Sequence, residues 1–283
     1  MVIDFHTHIF PPFFREDRKR FFPDEPAFEQ LYSPPRSRLV GAEELIRSMD
    51  EEGVHKSVVF GFPWKKAAYF RRHNDYILES VMKYPDRLIG FCCLSPLSPA
   101  AAREVQRCLD SGLSGVGEIA LYGRDLSSRD ITRLKAIMAA CEGFDVPLLL
   151  HVNEPVGPAY PGKAPITLTQ VYLLLKTYPN NKIVLSHWGG GLFFYALMKK
   201  EVKDVLRNTW FDTAASPYLY SPGIYRAAVE ILGEDKILFG TDYPLLSPKR
   251  YFQEMGSLHL SRVVYQKISG ENAVRLLGLT DEN

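Results

Sequence analysis

Six side chains that can bind a metal ion or carry a proton stand at the ends of short apolar runs. His6 and His8 lie two residues apart in the run that opens the chain, VIDFHTH. Residues i and i+2 of a strand point to the same face, so these two imidazoles can chelate one divalent ion. Each of the other four ends or follows a later run: Glu118, His151, His187 and Asp242.

A mixture of imidazole and carboxylate groups predicts a site for a divalent metal. Zinc is the expected ion, as one or two ions per chain, and manganese and iron are the alternatives that the same donors accept. A divalent ion lowers the pKa of bound water from 15.7 to roughly 7 and so gives hydroxide at neutral pH. Three or four protein ligands with one open position distinguish a catalytic site from a structural one.

These residues are far apart in the chain, and the apolar pattern predicts the scaffold that brings them together. Eight short runs rich in Val, Ile, Leu and Phe recur, and few charges interrupt them. Such runs are typical of strands buried on both faces, as in a parallel sheet. The predicted strands cover residues 2–5, 56–61, 88–94, 115–119, 147–151, 182–186, 209–212 and 236–240.

Amphipathic segments separate the runs, and most of them stop at a glycine or proline, as Gly53 and Gly233 illustrate. Eight strand–helix units predict an α/β protein in which residues 1–283 form a single (β/α)8 barrel. The carboxyl ends of barrel strands make up the catalytic face, and all six candidate residues fall there.

The alternation of strands and helices is interrupted once, directly after the His6–His8 pair. Residues 9–40 combine many prolines and aromatic residues with charged ones. Connections of this length are usually functional or disordered. Because the segment follows the strongest motif, we expect a lid over the barrel mouth, with a simple surface excursion as the alternative.

The ordered motifs HTH, GEI, LLLH, SHWGG and GTDYP resemble those of the amidohydrolase superfamily. They are most similar to its amidohydrolase-related branch of TIM-barrel metal-dependent hydrolases and decarboxylases. The resemblance extends from His6 to the tail segment GENAVRLLGL, which is similar to the closing helix of the family. It implies the barrel fold and a metal-dependent enzyme, and none of the motifs specifies a substrate.

The resemblance also implies a role for each matching residue. His6, His8 and His151 would bind the metal ion. Asp242 would bind it as well and accept a proton from the water. His187 would either contact a second ion or act as an acid or base that polarises the substrate.

Glu118 has two interpretations. Its GEI motif resembles the bridging-glutamate pattern of TatD-like deoxyribonucleases, in which the carboxylate would be a metal ligand between two ions. The SHWGG and GTDYP motifs do not follow that subgroup. In the second interpretation, Glu118 is a carboxylate that orients a metal-bound imidazole.

Three functions follow from these residues. The main expectation is hydrolysis of a small amide, ester or lactone by metal-activated water, assisted by Asp242 and His187. The alternative is non-oxidative decarboxylation of a small aromatic or unsaturated carboxylic acid. Arg124, Lys163 and Trp188 are the candidate substrate-binding residues, and their cationic and aromatic side chains would favour decarboxylation. The third hypothesis is a metal-binding barrel without activity.

The composition restricts the partners. Lys and Arg number 34 against 33 Asp and Glu, a formal charge of +1 that argues against nucleic-acid binding. No apolar run reaches the ~18 residues of a membrane helix, and no secretory signal is visible. The four cysteines lack CxxC spacing, which indicates reduced thiols and a cytoplasmic setting. We expect a small-molecule substrate, no nucleic-acid or membrane partner, and a homo-oligomer as one open alternative.

Overall fold

The computed structural model describes residues 1–198 and 200–279, and its sheet consists of eight short parallel strands. Their residues are almost all buried, which explains why apolar runs without alternation encode them. The strands are β1 (Ile3–His8), β2 (Lys56–Phe60), β3 (Leu88–Gly90), β4 (Val116–Ile119), β5 (Leu148–Leu150), β6 (Ile183–Leu185), β7 (Thr209–Asp212) and β8 (Ile237–Leu238).

Backbone hydrogen bonds close these strands into a barrel. Strands β1 to β3 pair in sequence order, and so do strands β4 to β8. At one seam the Cys92 N–H donates to the Gly115 carbonyl at 2.9 Å, and at the other the Phe5 N–H donates to the Phe239 carbonyl at 2.7 Å. Isolated strand bridges continue both seams. The predicted α/β class and the (β/α)8 barrel are therefore confirmed.

Helices connect the strands, and none in the described parts of the chain is long and apolar enough to cross a membrane. Helix α3 shows how the sequence sets a boundary, because Gly53 ends it with a left-handed φ of 75°. The helices are α1 (Pro12–Arg15), α2 (Pro26–Tyr32), α3 (Ala42–Glu52), α4 (Ala67–Lys83), α5 (Ala101–Asp110), α6 (Ser128–Arg133), α7 (Lys135–Gly143), α8 (Leu168–Thr177), α9 (Lys200–Val205), α10 (Ser216–Leu219), α11 (Ile224–Leu232), α12 (Pro248–Ser257), α13 (Arg262–Gln266) and α14 (Asn272–Leu277).

Two apolar layers hold the barrel together. One cluster contains Phe5, Val58, Leu149, Val184 and Leu238, each from a different strand, and these side chains are fully buried. A larger cluster joins the other strand residues to the surrounding helices. Because both faces of each strand are covered, adjacent strand residues can all be apolar.

The segment 9–40 contains helices, whereas the sequence predicts a long loop there. It contains α1, a 3₁₀ turn over Arg18–Phe21 and α2, and four of its phenylalanines are buried: Phe10 and the group formed by Phe14, Phe21 and Phe28. The rings of Phe14, Phe21 and Phe28 pack around Trp64 beyond β2, and Phe14 stacks on it with ring centroids 4.4 Å apart. The aromatic residues that look exposed in the sequence are therefore part of the larger apolar cluster.

The chain after β6 differs from the single helix predicted for residues 192–203. Consecutive tight turns occupy His187–Leu197, and α9 is a separate helix after them. Residues 187–191 all have left-handed φ angles between 56° and 83°. Gly190 permits this path, because a Cβ atom there would lie 2.1 Å from the Asn153 carbonyl oxygen.

Candidate active site

Strands β1 and β8 bring three of the candidate ligands together at the carboxyl end of the barrel. Nε2 of His8 lies 3.3 Å from Oδ1 of Asp242, and Nε2 of His6 lies 3.7 Å from the same oxygen. A backbone hydrogen bond joins β1 to the segment that follows β8: the Asp242 N–H donates to the His6 carbonyl at 2.9 Å. The alternation along β1 therefore turns both imidazoles toward Asp242, as the HxH spacing predicts.

Strands β4, β5 and β6 supply the other three residues. Nδ1 of His151 lies 2.9 Å from Oε1 of Glu118, and Nε2 of His187 lies 3.6 Å from it. The same Glu118 oxygen is 3.8 Å from Nε2 of His6, so it joins this group to the β1 pair. All six candidate residues thus meet in one cluster, although their outermost members are 236 positions apart (242 − 6).

Each histidine of the cluster has its second ring nitrogen fixed by another group. Nδ1 of His8 contacts the Gly61 carbonyl at 3.1 Å, Nδ1 of His187 contacts the Ala214 carbonyl at 2.9 Å, and Nε2 of His151 contacts the Gly162 carbonyl at 2.9 Å. A carbonyl accepts only from a protonated nitrogen, so in the neutral form of each ring the other nitrogen carries the lone pair. These lone pairs are directed into the cluster.

Asp212 performs the same task for His6, and the sequence analysis missed it. The two side chains are fully buried, and Oδ2 of Asp212 lies 2.8 Å from Nδ1 of His6. A signal was present, because Asp212 ends the seventh predicted strand, as the other site residues end theirs. Nε2 of His6 faces the cluster, and no hydrogen-bond partner for it exists among the described residues.

The arrangement of donors fits a divalent ion. Ligand atoms that surround one ion at about 2.1 Å are roughly 3.0–3.4 Å apart. Three overlapping sets have their donor atoms within 4.8 Å of one another, and His6 contributes to two of them: His6, His8 and Glu118; His6, His187 and Asp242; Glu118, His151 and His187. The unpartnered Nε2 of His6 is a buried polar atom that a cation would satisfy.

The charges of the cluster favour a cation. Burial raises the pKa of Glu118, but the charges of His151 and His6 hold it well below its usual value. Burial likewise opposes ionisation of Asp242, and a hydrogen bond from His8 together with the charge of His6 lowers its pKa. Both carboxylates are consequently ionised at neutral pH. Their negative charge favours a cation in the cluster, either a protonated imidazole or a metal ion bound to the neutral rings.

The backbone at two of these residues is strained. His187 has a φ of 56° and Asp242 a φ of 64°, in the left-handed region that side-chain-bearing residues seldom adopt. Such conformations persist where surrounding contacts over-determine them, and they concentrate at functional sites. Here they direct both side chains from the strand ends into the cluster.

A cavity of about 700 Å³ opens above the cluster. His8, Glu118, His151, His187 and Asp242 line its base. The segment 9–40 forms one wall of this cavity. The cavity residues from this segment are Leu31, Tyr32, Pro34, Arg36, Ser37 and Arg38.

The three residues expected to bind substrate do not line this cavity. The Lys163 ammonium pairs with Glu154 at 2.9 Å, and the Arg124 guanidinium pairs with Asp130 at 2.6 Å. Trp188 is fully buried behind the wall. The cations that do line the cavity are Arg36 and Arg38, which lie in the proline-rich segment and which the sequence analysis did not single out.

Known proteins similar to this chain include several decarboxylases. The gamma-resorcylate decarboxylase of Polaromonas sp. (strain JS666 / ATCC BAA-500) is 27% identical, and the alignment covers 86% of this chain and 90% of that protein. The 2-amino-3-carboxymuconate-6-semialdehyde decarboxylase of Dictyostelium discoideum is 24% identical over 99% of this chain and 92% of its own length.

Solved structures share the fold. The 5-carboxyvanillate decarboxylase LigW of Sphingomonas paucimobilis superimposes with a TM-score of 0.78 at 19% identity, covering 99% of both chains. A dihydroxybenzoic acid decarboxylase of Polaromonas sp. JS666, with bound manganese and the inhibitor 2-nitroresorcinol, gives a TM-score of 0.70 at 22% identity. That alignment covers 98% of this chain and 97% of the other.

These comparisons correct the main expectation about activity. Hydrolysis of an amide, ester or lactone was expected first, and decarboxylation was the alternative. The similar proteins are named as decarboxylases, so the hydrolase expectation is wrong. The motifs did not reveal this, because hydrolases and decarboxylases of the branch share them.

The family assignment rests on the whole chain. A sequence model described as Amidohydrolase (Amidohydro_2) matches residues 3–279, which include all eight strands and all six residues of the cluster. The resemblance read from HTH, GEI, LLLH, SHWGG and GTDYP is therefore confirmed. The chain belongs to the amidohydrolase family.

Proposed function

We propose that this protein is a metal-dependent non-oxidative decarboxylase of a small aromatic or unsaturated carboxylic acid. The observation that carries the proposal is the cavity itself, which has a cation-binding cluster at its base and two arginines in its wall. The decarboxylase relatives support the same activity, since the alignments cover 84–99% of this chain.

The donors that would hold the divalent ion are His6, His8, His151, Glu118 and Asp242. Such an ion would supply positive charge to attract an anionic substrate and to stabilise charge that develops on it. Manganese joins zinc as a first candidate, because the similar Polaromonas decarboxylase contains manganese. Iron is compatible with the same donors.

Decarboxylation replaces a carboxyl group with a proton, so this chain must deliver one proton to the carbon that loses carbon dioxide. We assign that delivery to the protonated His187 imidazole and to Asp242, whose carboxylate would first accept a proton from water and then pass it on; both side chains line the base of the cavity. The Ala214 carbonyl fixes Nδ1 of His187 and leaves Nε2 directed toward the cavity, where it carries a proton when the ring is protonated. Burial lowers the pKa of His187, but a hydrogen bond to Glu118 and the charge of that carboxylate raise it to about 9. A positioned acid–base group of this kind contributes about 10²–10⁴-fold to a rate.

The cavity wall suits a planar acid. Arg38 pairs with Glu44, whereas Arg36 has no ion pair or hydrogen bond among residues 1–198 and 200–279. An unpaired guanidinium beside a cavity attracts carboxylates and can bind one with two parallel hydrogen bonds. The rings of Phe62 and Tyr122 lie parallel, with an interplanar angle of 7°, and provide flat apolar surface.

The domain organisation completes the proposal. We assign residues 1–283 to one barrel domain in which the segment 9–40 acts as a lid. The lid keeps water from the cluster, because three of its side chains, Leu31, Tyr32 and Pro34, cover the cavity. Exclusion of water strengthens the electrostatic contacts between the site and an anionic substrate.

The test is a panel of hydroxybenzoic and unsaturated carboxylic acids, supplied to protein reconstituted with manganese or zinc and scored for carbon dioxide release. Release that requires the metal and disappears in His8→Ala is the expected result. Metal binding without release from any acid would instead support the inactive barrel. A preparation that takes up no metal after reconstitution would contradict the whole proposal.

A further inference from the structure

The cavity is much larger than a single-ring acid. An apolar cavity of about 150 Å³ is sufficient to hold a benzene ring. The cavity above the metal-binding cluster has a volume of about 700 Å³. A substituted benzoic acid at its base therefore fills only about a third of the space.

The unfilled part lies toward the solvent and is mostly apolar, with Arg36 and Arg38 as its charged residues. Burial decreases from Glu118 and His187 at the base to Tyr218 and Leu245 at the rim, which are 60% and 54% exposed. Leu31, Pro34 and Leu219 line the cavity with them. Large exposed apolar side chains beside a cavity mark a surface that a ligand covers.

The rim is held in place before any ligand binds. The Arg250 guanidinium lies 5.2 Å from the centre of the Tyr218 ring and donates to the Pro217 carbonyl at 3.0 Å. Nε1 of Trp188 donates to Oγ of Ser216 at 2.9 Å, at the start of the same short helix. An ordered apolar rim loses little conformational entropy on binding, so contact with it contributes to affinity.

We propose that the substrate is an extended acid, in which the carboxyl-bearing ring or unsaturated unit carries a second apolar group that reaches Tyr218 and Leu245. The second group is an aryl or alkyl substituent with the length of about four carbons or one ring. This inference rests on the proposed decarboxylase function, and it assigns the outer cavity to substrate selection.

The experiment compares matched acids on the manganese-loaded protein. Each pair consists of a hydroxybenzoic acid and the same acid with a butyl or phenyl substituent at ring position 4 or 5. Burial of one methylene group contributes about fourfold to affinity, and part of this is lost to ordering. We expect kcat/KM for carbon dioxide release to be at least about tenfold higher for the extended member of the best pair.

Two rim variants and one control distinguish binding at the rim from nonspecific hydrophobic binding of the longer acids. Tyr218→Ser and Leu245→Ser should each reduce the preference for the extended acid to within about threefold of unity. Val263→Ser is the matched control, because Val263 is 56% exposed on α13 and does not line the cavity. The control should keep the preference of the original protein.

Failure of this inference is distinguishable from failure of the proposed function. Equal kcat/KM values within every pair would contradict the inference of an extended substrate and would leave the proposed decarboxylase function supported. If no acid releases carbon dioxide, calorimetric binding of the same pairs decides. Binding of an extended acid at least about tenfold more tightly, and only with an intact rim, supports the inference, and equal binding overturns it.

Discussion

Asp212 links the two halves of the metal-binding cluster. One oxygen of its carboxylate lies 2.8 Å from Nδ1 of His6 on β1. The other accepts from the backbone N–H groups of His187 at 2.8 Å and Ala214 at 3.0 Å. A single buried side chain therefore orients the His6 ring and holds the backbone from which His187 projects.

This relationship predicts the effect of Asp212→Asn. An asparagine has one acceptor oxygen, so either His6 or the two N–H groups would face an NH₂ group instead. We expect affinity for manganese or zinc to fall about 10- to 100-fold, as is usual when a partner of a metal-bound histidine is removed. Titration of the metal-free protein, followed by calorimetry, measures the change.

The control for this substitution is Asp235→Asn. Asp235 is a half-exposed carboxylate before β8 and pairs with Lys267 and Arg275. The control should leave metal affinity unchanged. An unaltered affinity in Asp212→Asn would show that the His6–Asp212 hydrogen bond does not support ligation.

The sequence predicted the six cluster residues because one rule places them all. Parallel strands end at the same edge of a barrel, so residues at strand ends converge however far apart they are in the chain. Asp212 also ends a strand and follows this rule. It was not identified from the sequence because it does not lie in one of the recognised motifs. The ion-pair partners of Lys163 and Arg124 could not be predicted in this way, because loop conformation determines which carboxylate each side chain contacts.

The segment 9–40 was less predictable, and Glu25 shows why. Its carboxylate is fully buried and accepts from the backbone N–H groups of Lys65 and Lys66, at distances of 2.9–3.1 Å. Those groups immediately precede the 17-residue helix α4, and a negative charge is favourable at a helix N-terminus. A contact between residues 40 positions apart produces no periodic pattern in the sequence from which it could be predicted.

Glu25→Ala should loosen this segment. The substitution leaves buried N–H groups without an acceptor, which costs about 1–3 kcal/mol in the free energy of unfolding. We also expect faster cleavage within residues 9–40 by a non-specific protease. Glu29→Ala, at an exposed position on α2, is the control and should change neither quantity. Equal protease resistance in the two variants would contradict the anchoring role of Glu25.

Gly190 is predicted to be irreplaceable by a residue with a side chain. Its φ is 60°, and a Cβ atom would lie 2.1 Å from the Asn153 carbonyl oxygen and 2.7 Å from its carbon. Gly190→Ala must displace one of two segments that carry cluster residues. We expect a loss of about 3 kcal/mol or more, or no folded protein.

The control for the glycine prediction is Gly256→Ala in α12. An added Cβ there meets no atom within 4 Å, and the φ is not left-handed. Alanine should be neutral or stabilise by up to about 1 kcal/mol, because glycine is a poor helix former. Denaturant unfolding of both variants measures the difference, and similar stabilities would contradict the steric argument.

His187 offers a test that separates proton transfer from metal binding. Its Nε2 lies 3.3 Å from Nδ1 of His151 and 3.6 Å from Glu118, so a ligand and an acid–base group both fit the geometry. The proposed function assigns proton delivery to His187.

His187→Asn should therefore lower kcat for carbon dioxide release by about 10²–10⁴-fold while the bound metal per chain stays constant. His259→Asn, at an exposed position, should behave as the original protein does. Metal loss in proportion to activity in His187→Asn would instead make His187 a ligand, and Asp242 would then be left as the proton carrier.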